Sequence, residues 1–257
     1  MIASALCYDA CVHTDPGSHA VNQDFAGSHV GDGMGVWAVA DGLGSRHRSE
    51  VGARLAVEAV LNSFGQAAAA VDRGRALEVV GREAHEHVVA SQTDIRLAQI
   101  RTTLAVLVAD GSSARWLHVG DTRVYHWRES RIASRTADHS VPQLLVQAGE
   151  IQESEIRGHP DASRLLAALG QSRPPSIEVS EAIRLQAGDA FLICTDGWWQ
   201  TIVEADMTYD LMASDDSQEW IARMSDRIAR SRQANQDHYT AFAVRVVAPV
   251  ERGSDAA

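Results

Sequence analysis

Gly35-Val36-Trp37-Ala38-Val39-Ala40-Asp41-Gly42 carries the clearest fold signal in the chain. It starts as a short apolar run of β-favouring residues and stops at Asp-Gly, so it reads as a strand delivering a turn. Ala190 to Thr195 repeats the arrangement and ends in Asp196-Gly197. After the first strand, Val51, Leu55, Val57, Ala59, Val60 and Leu61 recur with few breakers between Ser49 and Phe64, and Ala76 to Ala90 gives a second helical stretch. The period then shortens. Thr102 to Val108, Ala114 to Val119, Arg123 to Trp127 and Arg131 to Arg135 are separated by Asp110-Gly111, Gly120-Asp121 and Glu129-Ser130, the pattern of antiparallel hairpins.

Ser140 to Ala148 and Ser163 to Leu169 read as helices, closed by Gly149 and Gly170. The polar residues from Gly149 to Pro175 form a surface excursion in this reading. Gln218 to Ser231 is amphipathic, with Trp220, Ile221, Met224 and Ile228 on one face, and Thr240 to Val247 is a final strand. Residues 249–257 read as a disordered tail. The linker from Gln66 to Val71 is alanine-rich and marks no boundary, so a single domain over residues 1–248 is expected. Strands, two helices, a block of hairpins, a helix and a strand do not alternate as βαβ units would, which gives an α+β layered fold.

The composition excludes several chemistries. Of 257 residues, 45% are apolar, and the 23 Lys+Arg are arginine throughout. Without lysine there is no phosphate-binding P-loop lysine, no kinase nucleotide lysine and no Schiff base. A net charge of -11 argues against nucleic acid as a partner. No stretch approaches the roughly 20 apolar residues that span a bilayer, and the N-terminus lacks the pattern of a signal peptide, so a cytoplasmic protein without membrane contact is expected. Cys7, Cys11 and His13 are close in sequence, but no fourth ligand follows at a zinc-like spacing, and the cysteines read as ordinary thiols of a reducing compartment.

Asp41 and Asp196 end strands, Asp237 precedes the last strand, Asp121 follows Gly120 in a hairpin turn, and Asp24 is a fifth aspartate near the start. Taken singly, each Asp-Gly reads as a turn. Carboxylates at neighbouring strand ends can converge, however, and hard oxygen ligands select Mg²⁺, Mn²⁺ or Ca²⁺.

The whole set resembles a known family. His19-Ala20-Val21-Asn22-Gln23-Asp24, Val39-Ala40-Asp41-Gly42-Leu43-Gly44, Thr102-Thr103-Leu104 and Val119-Gly120-Asp121-Thr122-Arg123-Val124-Tyr125 occur in order, followed by Asp138-His139-Ser140, Thr195-Asp196-Gly197 and Asp237-His238-Tyr239-Thr240. Together they are similar to the bacterial branch of the type 2C metal-dependent protein phosphatases. The resemblance implies a central antiparallel β-sandwich flanked by helices on both sides, in α-β-β-α layers, with Mn²⁺ or Mg²⁺ at one end of the sheets. By the same analogy Asp41 bridges two ions, the Gly42 carbonyl binds the first, and Asp196 and Asp237 complete the second. Asp121 with Asp196 matches a third position, Asp24 orients water, and residues 149–175 correspond to a mobile flap. The implied reaction is hydrolysis of phosphoserine and phosphothreonine in proteins, by a metal-bridging hydroxide attacking phosphorus in line. The implied partners are phosphorylated proteins, substrates of a bacterial serine/threonine kinase, and the implied state is a monomer.

Four positions depart from the family pattern. His19 stands where an arginine would grip the substrate phosphate, which raises the alternative of a degenerate member that binds phosphoprotein or metal without turnover. Arg46 and Arg48, just after the Asp41-Gly42 loop, are the candidates to replace that arginine. Gln23 stands in place of glutamate. His238 replaces an asparagine and is expected to loosen the hydrogen bonding around Asp237. Leu43 stands in place of a histidine. Three weaker signals remain: His85-Glu86-His87 does not share a helix face, Gly31-Asp32-Gly33-Met34-Gly35 reads as a hairpin turn, and of Trp198 and Trp199 one at least belongs in the core.

Overall fold

The structure is a computed structural model, which describes residues 6–31, 33–44, 48–68, 73–94, 97–231 and 235–248. The chain opens with β1 (Cys7–Asp15), β2 (Asp24–Gly31) and β3 (Met34–Leu43), then α1 (Ser49–Ala68) and α2 (Arg73–Ser91). The hairpin block is β4 (Arg101–Thr102), β5 (Leu104–Ala109), β6 (Ser113–Val119), β7 (Arg123–Arg128) and β8 (Arg131–Arg135). It is followed by α3 (Val141–Gln147), a 3-10 turn over Glu153–Gly158, β9 (Glu178–Val179), β10 (Ile183–Arg184) and β11 (Ala190–Cys194). The last elements are α4 (Asp196–Trp199), α5 (Glu204–Met212), α6 (Ser217–Ser231) and β12 (Tyr239–Val247).

Two antiparallel sheets run in the orders β1-β12-β11-β7-β8 and β10-β6-β5-β3-β2. Side-chain alternation assigns each strand residue to one of three apolar layers. On β3, Val36, Ala38 and Ala40 pack under α1 and α2, while Trp37 and Val39 point into the space between the sheets. On β11, Leu192 and Cys194 face α5 and α6, while Phe191 and Ile193 meet Trp37 and Val39 across the sandwich. The result is the α-β-β-α layering. Strands buried on both faces carry no polar alternation, which is why β3 and β11 read as continuous apolar runs.

The polar end of the sandwich follows from the same alternation. Continuing the inward face of β3 past Trp37 and Val39 reaches Asp41; on β11, Phe191 and Ile193 lead to Thr195; on β12, Val244 and Phe242 lead to Thr240. Asp24 on β2 pairs directly with Asp41 on β3. The apolar interior therefore ends in carboxylates and hydroxyls at one rim.

Three expectations are corrected. Asp41-Gly42 is not a turn, because β3 continues through it to Leu43, and Asp196-Gly197 opens α4. Ser163 to Leu169 is not a helix: the backbone groups a helix would use are committed elsewhere. Leu166 N–H donates to His139 O at 2.7 Å, Leu169 N–H donates to Thr102 O at 2.8 Å, and Arg164 O accepts from Val141 N–H at 2.9 Å. Tertiary pairing overrides the helix propensity of Leu and Ala. Cys7, Cys11 and His13 lie on the edge strand β1. Residues 249–257 lie outside the described residues.

Candidate metal centre

The two Asp-Gly pairs need glycine for close backbone approach. A Cβ on Gly42 would run into the carbonyl of Ser49 and stand 2.8 Å from the carbonyl of Gln23. One on Gly197 would run into the carbonyl of His238 and lie 3.4 Å from the Cβ of Asp237. Each glycine therefore lets its aspartate sit against a second segment of the site.

Threonines fix the carboxylates. Asp41 N–H donates to Thr103 Oγ1 at 2.9 Å, and Thr102 Oγ1 donates to Asp41 O at 2.8 Å. Thr195 Oγ1 donates to Asp24 Oδ2 at 2.8 Å while accepting from Thr240 N–H at 3.0 Å. Asp24 Oδ1 and Asp121 Oδ1 are buried without a hydrogen-bond partner. Asp121 is held by its backbone, whose carbonyl accepts from Trp199 Nε1 at 2.9 Å.

His238 draws two groups together. Its Nε2 lies 3.2 Å from Asp41 Oδ1 and 3.8 Å from Asp24 Oδ1, and its Nδ1 lies 2.8 Å from Asp237 Oδ1. Asp24, Asp41 and His238 have ligand atoms within 4.8 Å of one another, as do His19, Asp237 and His238. The expectation that His238 loosens this region is corrected, since its two nitrogens join Asp237 to Asp41. His19 is exposed, with Nε2 3.3 Å from Asp237 Oδ1 and its ring edge-on to His238. Asp196 and Asp121 do not join a group of three at that distance among the described residues, but their charges are felt.

The electrostatics are those of a crowded anionic site. Burial, then Asp41 and Asp237, push the Asp196 carboxyl up to about 8. Burial and Asp41 raise Asp24 well above the carboxylate range, and burial with Asp196, Asp138 and Asp41 does the same to Asp121. Burial alone would lower the His238 pKa, but hydrogen bonds to Asp237 and Asp41 outweigh it and raise the imidazolium to about 11. Hard oxygens with buried unpaired lone pairs fit Mn²⁺ or Mg²⁺.

The remaining sequence candidates are placed as follows. Arg48 is exposed and held at φ 91, a left-handed conformation that is uncommon outside glycine. Arg46 lies outside the described residues. Trp198 and Trp199 are both core residues. Arg123 is not a free cation: it grips Asp138 bidentately at 2.8 and 2.7 Å and lies 3.4 Å over the Trp199 ring. His85 Nδ1 accepts from Gly170 N–H at 3.2 Å, and His87 points outward. Arg101, which no motif singled out, sits beside the site, paired with Leu43 across β3 and β4.

Fold and site together define a class, an α-β-β-α sandwich with clustered aspartates at one rim. The chain belongs to the protein phosphatase 2C family, whose sequence profile matches residues 16–238. It is 31% identical over 168 residues to the serine/threonine protein phosphatase PstP of Mycobacterium tuberculosis, a match covering 64% of this chain and 32% of that protein. The chain thus spans about a third of that relative's length. The structure of the PPM Ser-Thr phosphatase MsPP from Mycobacterium smegmatis in complex with cacodylate is similar at 29% identity and TM-score 0.77, covering 96% of this chain and all (100%) of that one. The PstP catalytic domain in complex with two manganese ions shares the fold at TM-score 0.78 and 24% identity, covering 94% of this chain and 99% of that one. No helix among the described residues is long and apolar enough to cross a membrane.

Proposed function

We propose that this chain is a Mn²⁺- or Mg²⁺-dependent protein phosphatase that hydrolyses phosphoserine and phosphothreonine. The observation that carries the reading is the convergence of Asp24, Asp41, Asp121, Asp196 and Asp237 on one rim, with oxygens of Asp24 and Asp121 buried and unpaired. Asp41, the Gly42 carbonyl, Asp196 and Asp237 would hold two ions, and Asp121 with Asp196 a third. When bound, such ions lower the pKa of water into the neutral range and offset the charge of the phosphoryl oxygens.

The chain's own part is placement. Thr195 holds Asp24 by Oδ2, which leaves Oδ1 to accept from a water beside Asp41. Hydrolysis forms a bond from water oxygen to phosphorus as the ester bond breaks in line, and the leaving Ser or Thr oxygen takes up a proton. His19 is exposed beside Asp237, so with Arg46 and Arg48 it is a candidate to contact phosphate; it would supply one hydrogen bond rather than a fork.

The substrates would be phosphoproteins, in keeping with the names of the relatives, and the enzyme that phosphorylates them would be a bacterial serine/threonine kinase. Three cysteines, none of them in a disulfide, suit a reducing cytoplasm. A single domain with residues 149–175 as a flap, acting as a monomer, completes the proposal. Hydrolysis of p-nitrophenyl phosphate, alongside calorimetric titration with Mn²⁺, tests it. Turnover that appears with Mn²⁺ or Mg²⁺ and vanishes on chelation is expected. Metal binding without turnover at any pH would make the chain a non-catalytic family member instead.

A further inference from the structure

A cleft of about 740 Å³ opens beside the metal centre. Its walls include Leu43 and Gly44 at the end of β3, Gln99 and Arg101 at the approach to β4, and Leu165 and Gln171 of the surface excursion. The floor is fixed. Thr102 and Leu169 exchange two backbone hydrogen bonds at 3.2 and 2.8 Å, and Gln92 Nε2 donates to Ile100 O at 2.9 Å and Gly170 O at 2.6 Å.

Charge distinguishes this cleft from the rest of the molecule. The chain carries 34 Asp+Glu, yet none of the described residues lining the cleft is acidic, and Arg101 is its one charged residue. Arg101 is exposed, and its guanidinium has no hydrogen-bond or ion-pair partner among the described residues. Arg123 and Arg157, by contrast, are engaged by the carboxylates of Asp138 and Glu204.

Register places Arg101 relative to the chemistry. Arg101 pairs with Leu43 across the β3–β4 ladder, and paired residues share a face. Leu43 lies two residues beyond Asp41 on the same face, a step of about 6.7 Å. An extended peptide whose phosphorylated residue sits at Asp41 would therefore carry its neighbouring one or two side chains past Arg101. Resting on the phosphatase reading above, we infer that this cleft receives the phosphoprotein segment flanking the phosphorylated residue, and that Arg101 selects an anionic side chain there. A carboxylate and a second phosphate share the chemistry that an unpaired guanidinium recognises.

The test uses the full chain with Mn²⁺ and phosphothreonine peptides carrying Asp, phosphoserine, Ala or Arg at each of the two positions on either side. The wild type is expected to favour the best anionic peptide over its Arg counterpart by about tenfold in kcat/KM, chiefly through KM. Arg101→Lys should keep most of this preference, Arg101→Ala should lose it, and Arg101→Glu should invert it. Because Arg101 is exposed, these changes leave the core untouched. A larger gain from phosphoserine assigns the site to a second phosphate, and a larger gain from Asp assigns it to a carboxylate. Wild-type rates within twofold across the panel, or a preference that survives Arg101→Glu, overturn the inference. Should no peptide or p-nitrophenyl phosphate turn over, the phosphatase reading fails separately. The cleft then stands or falls on fluorescence anisotropy with the same peptides, where the same order of affinity and the same inversion are required.

Discussion

Gly197 and His238 show how single positions shape the rim. The missing Cβ at Gly197 lets the first turn of α4 lie against the His238 carbonyl and brings Asp196 towards Asp237. Gly197→Ala should cost about 1–3 kcal/mol, because the new methyl can only displace backbone. The measurement is the urea midpoint at unchanged m. His238 poses a different question. At neutral pH it is a cation facing Asp41, so a metal ion arriving at Asp41 meets a resident positive charge. His238→Asn removes that competitor and should lower the Mn²⁺ dissociation constant by about tenfold in calorimetric titration. Weaker binding in the variant would instead make His238 a ligand. From the sequence, the aspartates could be picked out by their place at strand ends, but His238 looked like a lost asparagine, because pairing through both ring nitrogens depends on how β12 meets β3.

At the scale of elements, the turn before β11 is tied to β7 by one buried carboxylate. Asp189 accepts from Arg128 Nε and Nη2 at 2.8 and 2.7 Å and from Gln186 N–H at 2.9 Å, with His126 Nε2 at 3.4 Å. Burial opposes its ionisation, but the hydrogen bonds from Arg128 and His126 outweigh it and hold the carboxyl well below the usual range. A depressed carboxylate stabilises the fold fully above its unfolded value near ~3.9 and loses that contribution as pH falls towards its folded value. Asp189→Asn should therefore cost about 1–3 kcal/mol at pH 7 and flatten the acid limb of the stability curve below pH ~4. Thermal melts across pH read both effects.

Elements with strong local signals were legible, above all β3, β11, α6 and the hairpin block. The strand β1 was not: its alternation is broken by Asp9 and Ala10, and pairing along the whole of β12 defines it. Ser163 to Leu169 misled for the reverse reason, because a good helical composition is spent on bridges to Thr102 and Ser140. Arg101 carried no signal at all, since its meaning comes from a register with Leu43 and from neighbours far apart in sequence.

Across the whole molecule, buried aspartates gather at one rim, and one cleft beside it has no acidic residue among its described lining. On the phosphatase reading, a chain of net charge -11 would need cations to offset both its own carboxylates and a phosphorylated substrate. The absence of lysine leaves arginine, histidine and metal ions to do this. The candidate metal rim was legible from the order of the aspartate motifs; the group that would contact phosphate was not, because His19 and Arg48 are alike as polar surface residues until the first is seen beside Asp237 and the second exposed. The central claim is that the aspartate rim performs metal-dependent phosphoester hydrolysis. Its most direct test is kcat/KM for a phosphothreonine peptide with and without Mn²⁺, for the wild type, Asp41→Asn and Asp196→Asn. The account predicts turnover only with Mn²⁺ and a loss of about 10³-fold or more in each variant. Turnover that persists after chelation, or variants that keep wild-type rates, would contradict it.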